Sequence, residues 1–225
     1  MSFQSSYFFF PPSEPINTNL PAQVRHWGEV FGRGNARAFD ERGWSYFTAE
    51  EFDLYYPGYG DSWPTLQGAT GMTYEMAGHG RAGLRVERND GTILTLRERV
   101  RRHFTAAMAT LQTARAERER RLLDFHDFFH EGQFGRGSGA EAYLLPATPD
   151  GGRTRELVRL LLDHGIRVEE ASEPLSVSEP RDYEGRLVNR PFPAGTYVVP
   201  GRQPAAALVH ALLEPESTLP ETLFY

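Results

Sequence analysis

Residues 55–78 read YYPGYGDSWPTLQGATGMTYEMAG, and this stretch decides more about the predicted fold and function than any other. Its second half holds a single charged residue, Glu75, in the otherwise uncharged run TLQGATGMTYEMAG. The pattern over residues 71–76 predicts a strand that ends at Glu75, preceded by a loop rich in glycine, tyrosine and tryptophan. A lone carboxylate in this position is typical of the general base of a hydrolase. An ordinary strand-end acid that pairs with one of the many arginines is the alternative.

The composition bounds the class of protein. The 225 residues are 40% hydrophobic and 24% charged, which predicts a packed core in one large domain or two small ones. A formal net charge of −6 argues against nucleic acid or an anionic membrane as the main partner. The sequence contains no cysteine, which excludes disulfides, thiolate metal sites and cysteine nucleophiles. It also lacks a run of about 18 apolar residues, so no membrane-spanning segment is expected.

Hydrophobic spacing predicts helices and strands in the first half of the chain. Three elements are expected before residue 48: a buried strand over 6–10, a helix over 21–40 and a short strand over 42–47. Thr48 followed by Glu51 fits a capping box, so residues 48–55 are expected to open as a helical turn. The clearest helix covers residues 95–118. Its apolar side chains recur at three- or four-residue spacing on one face: Leu96, Val100, Phe104, Met108 and Leu111.

The second half predicts a separate, smaller unit. Charges of both signs alternate over residues 114–121, which is typical of a solvated helix or connector, and we place a domain boundary there. Beyond it, strands expected over 142–146, 166–170 and 196–200 alternate with helices over 154–164 and 204–213. In the first of these helices Leu157, Leu160 and Leu161 are expected to face inward, and Gly165 is expected to end it. This βαβ pattern predicts a small parallel sheet.

The run GATGMTYEMAG, followed by a glycine-rich turn and the helix LRERVRRHFTAAMATL, resembles the C-terminal third of zinc metallocarboxypeptidases of the carboxypeptidase A-like family. The resemblance implies that Glu75 is the catalytic base at the end of an apolar strand. The segment YPGYGDSW resembles the family's mobile substrate loop, with Asp61 in its Asp-Trp pair, which Ser62 interrupts here. Tyr56 matches the substrate-binding tyrosine best, and Tyr55 and Tyr59 are its rivals.

The resemblance covers about residues 5–113 and is greatest to large bacterial carboxypeptidase-like proteins. It implies a partial carboxypeptidase-like α/β domain over residues 1–114, a helical connector and glycine-rich loop over 115–139, and a small amidotransferase-like α/β domain over 140–225. The family binds zinc through a His-x-x-Glu pair and a distant histidine, and on this alignment those ligands fall upstream of residue 1. The chain is therefore expected to be a fragment.

The same resemblance sets the expected cofactor and partners. The intact parent would bind zinc and hydrolyse a peptide or small amide, and it would be secreted or periplasmic. This chain would bind no zinc itself and would need the missing N-terminal half of the catalytic domain as its partner. A non-catalytic peptide- or ligand-binding module on the same fold is the alternative.

Three further motifs carry weaker signals. His126 and His130 share a helix face at the spacing of a metal pair, although a surface or hinge helix with inward phenylalanines explains them better. His79, four residues after Glu75, could touch substrate or lie in an exposed turn. The glycine-rich segments at residues 32–35 and 134–139 are expected to be bends rather than phosphate loops, because neither follows a strand and opens a helix.

Overall fold

The computed structural model describes residues 7–76, 84–88, 91–135, 139–148, 150–215 and 219. It confirms a mixed α/β protein with helices and several small sheets. The chain divides into two compact units. The first contains Met1–Thr65, Ala69–Phe125 and Leu219–Tyr225, and the second contains Leu66–Gly68 and His126–Thr218. Within the described residues no helix is long and apolar enough to cross a membrane.

The first unit is built from short strands around two long helices. Its strands are β1 (Tyr7–Phe8), β2 (Ser13–Ile16), β3 (Tyr46–Phe47), β4 (Asp53–Leu54), β5 (Glu75–Met76), β6 (Arg85–Glu87) and β7 (Ile93–Thr95). Its helices are α1 (Gln23–Asp40), α2 (Ser62–Thr65) and α3 (Leu96–Ala116), and α4 (Arg118–Phe134) continues beyond it. In the largest sheet, β1 lies between β3, which runs parallel to it, and β5, which runs antiparallel. The pairs β2–β4 and β6–β7 form separate ladders.

The core of this unit lies where α1, α3 and the first sheet meet. Its buried members are Tyr7, Phe9, Phe39, Met76, Leu94 and Ala106. The predicted buried strand is confirmed, because all four side chains from Tyr7 to Phe10 are buried, although only two residues pair as strand. Rings contact one another throughout, for example Phe9 stacked on Tyr46 at 4.7 Å between centroids. Such aromatic contacts add to the area that each ring buries.

Glycines let α1 approach its neighbours closely. A Cβ at Gly32 would lie 2.3 Å from the carbonyl oxygen of Phe10, and one at Gly34 would lie 2.2 Å from Oγ1 of Thr113. The segment at residues 32–35 is therefore interior helix, and the predicted bend there is wrong. Because α1 has no side chain at Gly32 and Gly34, its backbone comes close to Phe10 and to α3. Helix α3 therefore packs directly along α1.

Helix α3 forms where predicted, but its apolar face points outward. Thr95 caps it by accepting a hydrogen bond from the Glu98 amide at 3.2 Å. The face buried against the unit consists of Arg102, Thr105, Ala106, Ala109 and Thr113. The five predicted apolar positions are instead 39–65% exposed: Leu96, Val100, Phe104, Met108 and Leu111. Because α1 lies so close, the contact admits mainly alanine and threonine, and the larger side chains lie on the opposite side.

Two local predictions beside the first sheet are wrong. Residues 48–55 form no helical turn, since Ala49 donates its amide to the Pro11 carbonyl at 2.8 Å and β4 pairs with β2. Ala49 and Glu51 accordingly have φ of 58° and 63°. The strand predicted over 71–76 is only Glu75–Met76, so Glu75 begins it. Both segments take their hydrogen-bond partners from distant parts of the chain, which no local pattern records.

The second unit contains β8 (Ala142–Leu145), α5 (Gly152–Asp163), β9 (Glu169–Glu170), β10 (Tyr197–Pro200) and α6 (Ala206–Leu213). Its sheet has the order β8–β10–β9, and β10 runs antiparallel to both neighbours. The predicted parallel sheet is therefore wrong. The α5 crossover does connect two strands of the same direction, but β10 lies between them, as in a split βαβ unit. Gly165 ends α5 with φ of 74°, as predicted, whereas Leu160 is exposed and Val158 and Leu161 are buried.

Replacing Gly32 by alanine is expected to lower the free energy of unfolding by about 1–3 kcal/mol, because the new methyl group collides with the backbone of Phe10. The matched control in the same helix is Gly28→Ala, whose Cβ would meet its nearest atom at 3.5 Å. That variant is expected to gain up to about 1 kcal/mol from helix propensity. Urea unfolding followed by tryptophan fluorescence measures both. Equal effects of the two substitutions would contradict the close packing at Gly32.

Candidate functional site

The glycine–aromatic loop presents two tyrosines to solvent. Tyr56 and Tyr59 are both exposed, and their rings meet edge to face at 5.3 Å between centroids. A Cβ at Gly58 would lie 2.6 Å from the Tyr56 ring, so only glycine at this position lets the ring fold back over the turn. The Tyr59 amide donates to the Tyr56 carbonyl at 3.2 Å and closes the turn. The two candidate substrate-binding tyrosines therefore form one exposed aromatic pair.

Asp61 ties this loop to the segment that leads to Glu75. Its carboxylate is buried and accepts hydrogen bonds from the Ser62 amide at 2.8 Å and the Thr73 hydroxyl at 2.5 Å. Its carbonyl oxygen accepts the Thr65 hydroxyl at 2.6 Å, and Thr65 in turn accepts the Gly71 amide at 3.0 Å. A Cβ at Gly71 would lie 1.9 Å from that carbonyl oxygen. We call this set of hydrogen bonds, which holds together the segment from Asp61 to Thr73, the Asp61 latch.

A cavity of about 410 Å³ opens beside the latch. It is lined by two stretches of the loop region and by the approach to β5: Glu51, Phe52, Asp53, Tyr59, Gly60, Asp61, Met72 and Thr73. Three of these residues carry carboxylates, so the wall of the cavity is acidic. Tyr56 and Glu75, which the structure also describes, are not among the residues that line the cavity. The predicted site residues Tyr59 and Asp61 are thus brought together around one space, and Glu75 lies two residues after its wall.

Glu75 is exposed at the first position of β5, where its backbone pairs with Phe8. The preceding residue is anchored firmly. The Tyr74 hydroxyl bonds to the hydroxyl of Thr110 and accepts a hydrogen bond from Nδ2 of Asn35 at 3.2 Å. Burial raises the pKa of Tyr74. The strand position of Glu75 is therefore fixed from both helices, while its side chain faces solvent.

A pair formed by the buried Tyr7 and the half-buried His103 lies within electrostatic range of Glu75 and was not predicted. The Tyr7 hydroxyl and Nδ1 of His103 are 2.6 Å apart, and the two rings meet edge to face. Burial, followed by the charge of Arg99, lowers the pKa of His103, and the charge of Glu75 opposes this shift. Burial also raises the pKa of Tyr7, with smaller contributions from Tyr74 and Glu75. A single histidine in an arginine-rich helix was the only sequence signal for this pair.

The second unit holds a similar pair of its own. The Tyr143 hydroxyl and Nδ1 of His210 are 2.9 Å apart, and Glu214 lies 3.7 Å from the same nitrogen. Burial raises the pKa of Tyr143 to about 12 and lowers that of His210. These contacts join α6 to β8 and give this unit its own half-buried histidine.

The histidines singled out in the sequence do not form a metal site in the described ranges. His126 and His130 stack at 5.9 Å between centroids on the exposed side of α4, and His126 pairs with Asp127 at 3.0 Å. His79 lies outside the described residues. A His-x-x-Glu sequence, His26 and Glu29, does occur in α1, and the family alignment does not account for it.

Zinc does not fit the residues that the structure describes. No group of three or more histidine, aspartate or glutamate side chains among them could hold a metal ion. Glu29 of the His-x-x-Glu sequence pairs with Arg33 at 3.1 Å instead.

No protein-family model, no curated protein and no solved structure matches this chain. The assignment to a family therefore stays a prediction.

Acidification is expected to destabilise the first unit. The pKa of His103 in the folded state is lowered from its usual 6.5, so the unfolded chain binds the additional proton first. Stability is thus complete above pH 6.5 and falls as the pH drops through that value towards the folded-state pKa. All three tryptophans, Trp27, Trp44 and Trp63, belong to the first unit. Their fluorescence therefore reports the unfolding of the first unit separately from the unfolding of the second unit, which contains His210.

The variant that tests this is His103→Gln. It is expected to reduce the pH slope of the unfolding free energy by up to about 1.4 kcal/mol per pH unit below pH 6.5. The same variant measured at pH 8, where the histidine is neutral in both states, supplies the reference for its pH-independent loss. An unchanged slope would show that His103 does not titrate as inferred.

Removal of the Thr73 hydroxyl is expected to loosen the Asp61 latch. Thr73→Val keeps the shape of the side chain but leaves one oxygen of a buried carboxylate without its donor, which costs about 1–3 kcal/mol. Thr70→Val is the control in the same segment. Urea unfolding of both variants measures the difference, and equal stabilities would mean that the latch contributes nothing.

Proposed function

We propose that this chain is the base-bearing part of a zinc-dependent metallocarboxypeptidase-like hydrolase that cleaves a peptide or small amide bond. Glu75 acts as the general base, Tyr56 closes over the substrate, and Tyr59 and Asp61 hold it. The cavity carries this proposal, because it joins the glycine–aromatic loop to the segment that leads into Glu75. Binding sites commonly combine such a concave surface with a few fixed polar groups.

The position of Glu75 supports its role. Its side chain is exposed, so water and substrate can reach the carboxylate, while pairing with Phe8 holds its backbone. A positioned carboxylate of this kind accepts a proton from an attacking water and returns it to the leaving amine. The proposal assigns zinc and its ligands to the N-terminal half of the catalytic domain in the parent protein. The chain alone is therefore expected to lack peptidase activity.

The charge of the cavity narrows the substrate class. Glu51, Asp53 and Asp61 line it together with the rings of Phe52 and Tyr59. Acidic walls favour a cationic side chain and disfavour an acidic one, and the rings supply apolar and cation–π contacts to its stem and head. The proposed substrate is therefore a peptide that presents lysine or arginine to this cavity.

A non-catalytic peptide-binding module is the second candidate. The observation in its favour is that described residues form the cavity, whereas among the described residues no cluster of three or more histidine, aspartate or glutamate side chains could hold a metal ion. In that case Glu75 would be an exposed strand residue without a role in proton transfer. The two candidates share the binding site and differ only in the chemistry at Glu75.

Calorimetric titration of the chain with benzoyl-Gly-Arg and benzoyl-Gly-Glu tests the shared binding site. The arginine peptide is expected to bind about tenfold more tightly or better. Asp61→Asn and the exposed variant Tyr59→Ala are expected to weaken it, whereas Glu75→Gln, outside the cavity wall, leaves affinity unchanged. Failure of both peptides to bind would contradict both candidate functions.

Hydrolysis of the same peptides separates the candidates. With zinc added, the chain alone is expected to release no product. Zinc-dependent release would contradict the upstream placement of the ligands. It would make His26 and Glu29 the candidate zinc ligands. In the parent protein, Glu75→Gln is expected to reduce peptide hydrolysis by about 10²–10⁴-fold. A parent that binds the peptide but never cleaves it would favour the binding module.

A further inference from the structure

Helix α3 carries an exposed apolar row on the side opposite α1. We call Leu96, Val100, Phe104, Met108 and Leu111 the α3 apolar row; each of them is 39–65% exposed. Their spacing of three or four residues places them on one helix face over about 22 Å. Single exposed apolar residues are common on protein surfaces, but a contiguous row of five large ones indicates an interaction site.

The edge of this row is positively charged. Helix α3 contains five arginines and one glutamate in a chain whose net charge is −6. Arg97 and Arg101 are exposed and each follows a row residue by one position, so both lie along the same edge. Glu98 is directed elsewhere, since it accepts hydrogen bonds from Arg88 at 2.9 Å and Arg102 at 2.6 Å.

We propose that the α3 apolar row binds an amphipathic helix of a partner protein whose apolar face is flanked by aspartate and glutamate. The apolar faces of the two helices pack together, and the partner's carboxylates pair with Arg97 and Arg101. This is the helix-on-helix mode of peptide recognition, in which apolar anchors supply affinity and flanking charges select the partner. The inference does not depend on the proposed hydrolase function.

Charge distinguishes this partner from two other occupants. A second copy of the chain would bring two cationic edges together along paired α3 helices, which opposes self-association. An anionic bilayer would attract α3 but would repel the remainder of the chain, which is strongly acidic. An acidic helix is narrow enough to meet α3 without bringing other acidic surfaces close.

Two synthetic helical peptides test the proposal with the full chain. Both carry leucines at i, i+3, i+4 and i+7 spacing, and they differ only in flanking residues, glutamate in one and lysine in the other. The glutamate peptide is expected to bind about tenfold or more tightly than the lysine peptide at low salt, and the difference should shrink at high salt. Equal binding of both peptides would overturn the proposal.

Variants locate the binding surface. Phe104→Asp is expected to weaken the glutamate peptide at least about tenfold. The control Leu187→Asp changes a residue of matched exposure in the second unit, 62% against 65%, and is expected to leave binding unchanged. Arg97→Glu is expected to weaken the glutamate peptide and strengthen the lysine peptide. Circular dichroism checks that each variant folds. We expect that they do, because the substituted side chains are exposed and make few contacts in the core.

Three results would overturn the proposal. The first is wild-type affinity in Phe104→Asp. The second is a dimer, measured by light scattering, that Phe104→Asp converts to monomer, which would assign the row to a second copy. The third is binding to phosphatidylglycerol vesicles without binding to the glutamate peptide, which would assign it to a lipid surface.

Discussion

The close approach of α1 to its neighbours is the constraint on which the first unit depends. Gly32 lies against the backbone of Phe10, and Gly34 lies against the small side chain of Thr113 in α3, so α1 itself contributes no side chain to either contact. The aromatic side chains of β1 are enclosed as a result. The same contact selects alanine and threonine for the inner face of α3 and leaves its large apolar side chains outside. The packing of the core and the character of the outer surface thus have one cause.

The candidate site depends indirectly on the packing of α1 and α3. Tyr74 bonds to both long helices and fixes the start of β5, while the Asp61 latch fixes the loop to the residues just before it. The cavity wall is therefore rigid where it meets Thr73, and it is open where Tyr59 faces solvent. Preorganised polar groups beside exposed aromatic rings bind a ligand with little loss of conformational entropy.

Local patterns predicted the long helices well because apolar spacing and helix-ending glycines act over a few residues, as at Gly165. They failed where the partner is distant: β10 enters the second sheet between two strands that precede it, and the segment before β4 bonds to Pro11. In the candidate site, the glycine–aromatic loop could be predicted from its local sequence, and the role of Glu75 stays a prediction. The acidic cavity wall and the Tyr7–His103 pair could not be predicted, since their members are brought together only by the fold.

The central position of β10 has a consequence for how the second unit is made. β8 and β9 do not contact each other as a pair, and both find their partner only in a strand that follows them in the chain. During synthesis, β8 and β9 therefore have no strand partner until residues 197–200 leave the ribosome, and their backbone groups bond to water until then. A nascent chain halted earlier would therefore expose two unpaired strands to neighbouring molecules.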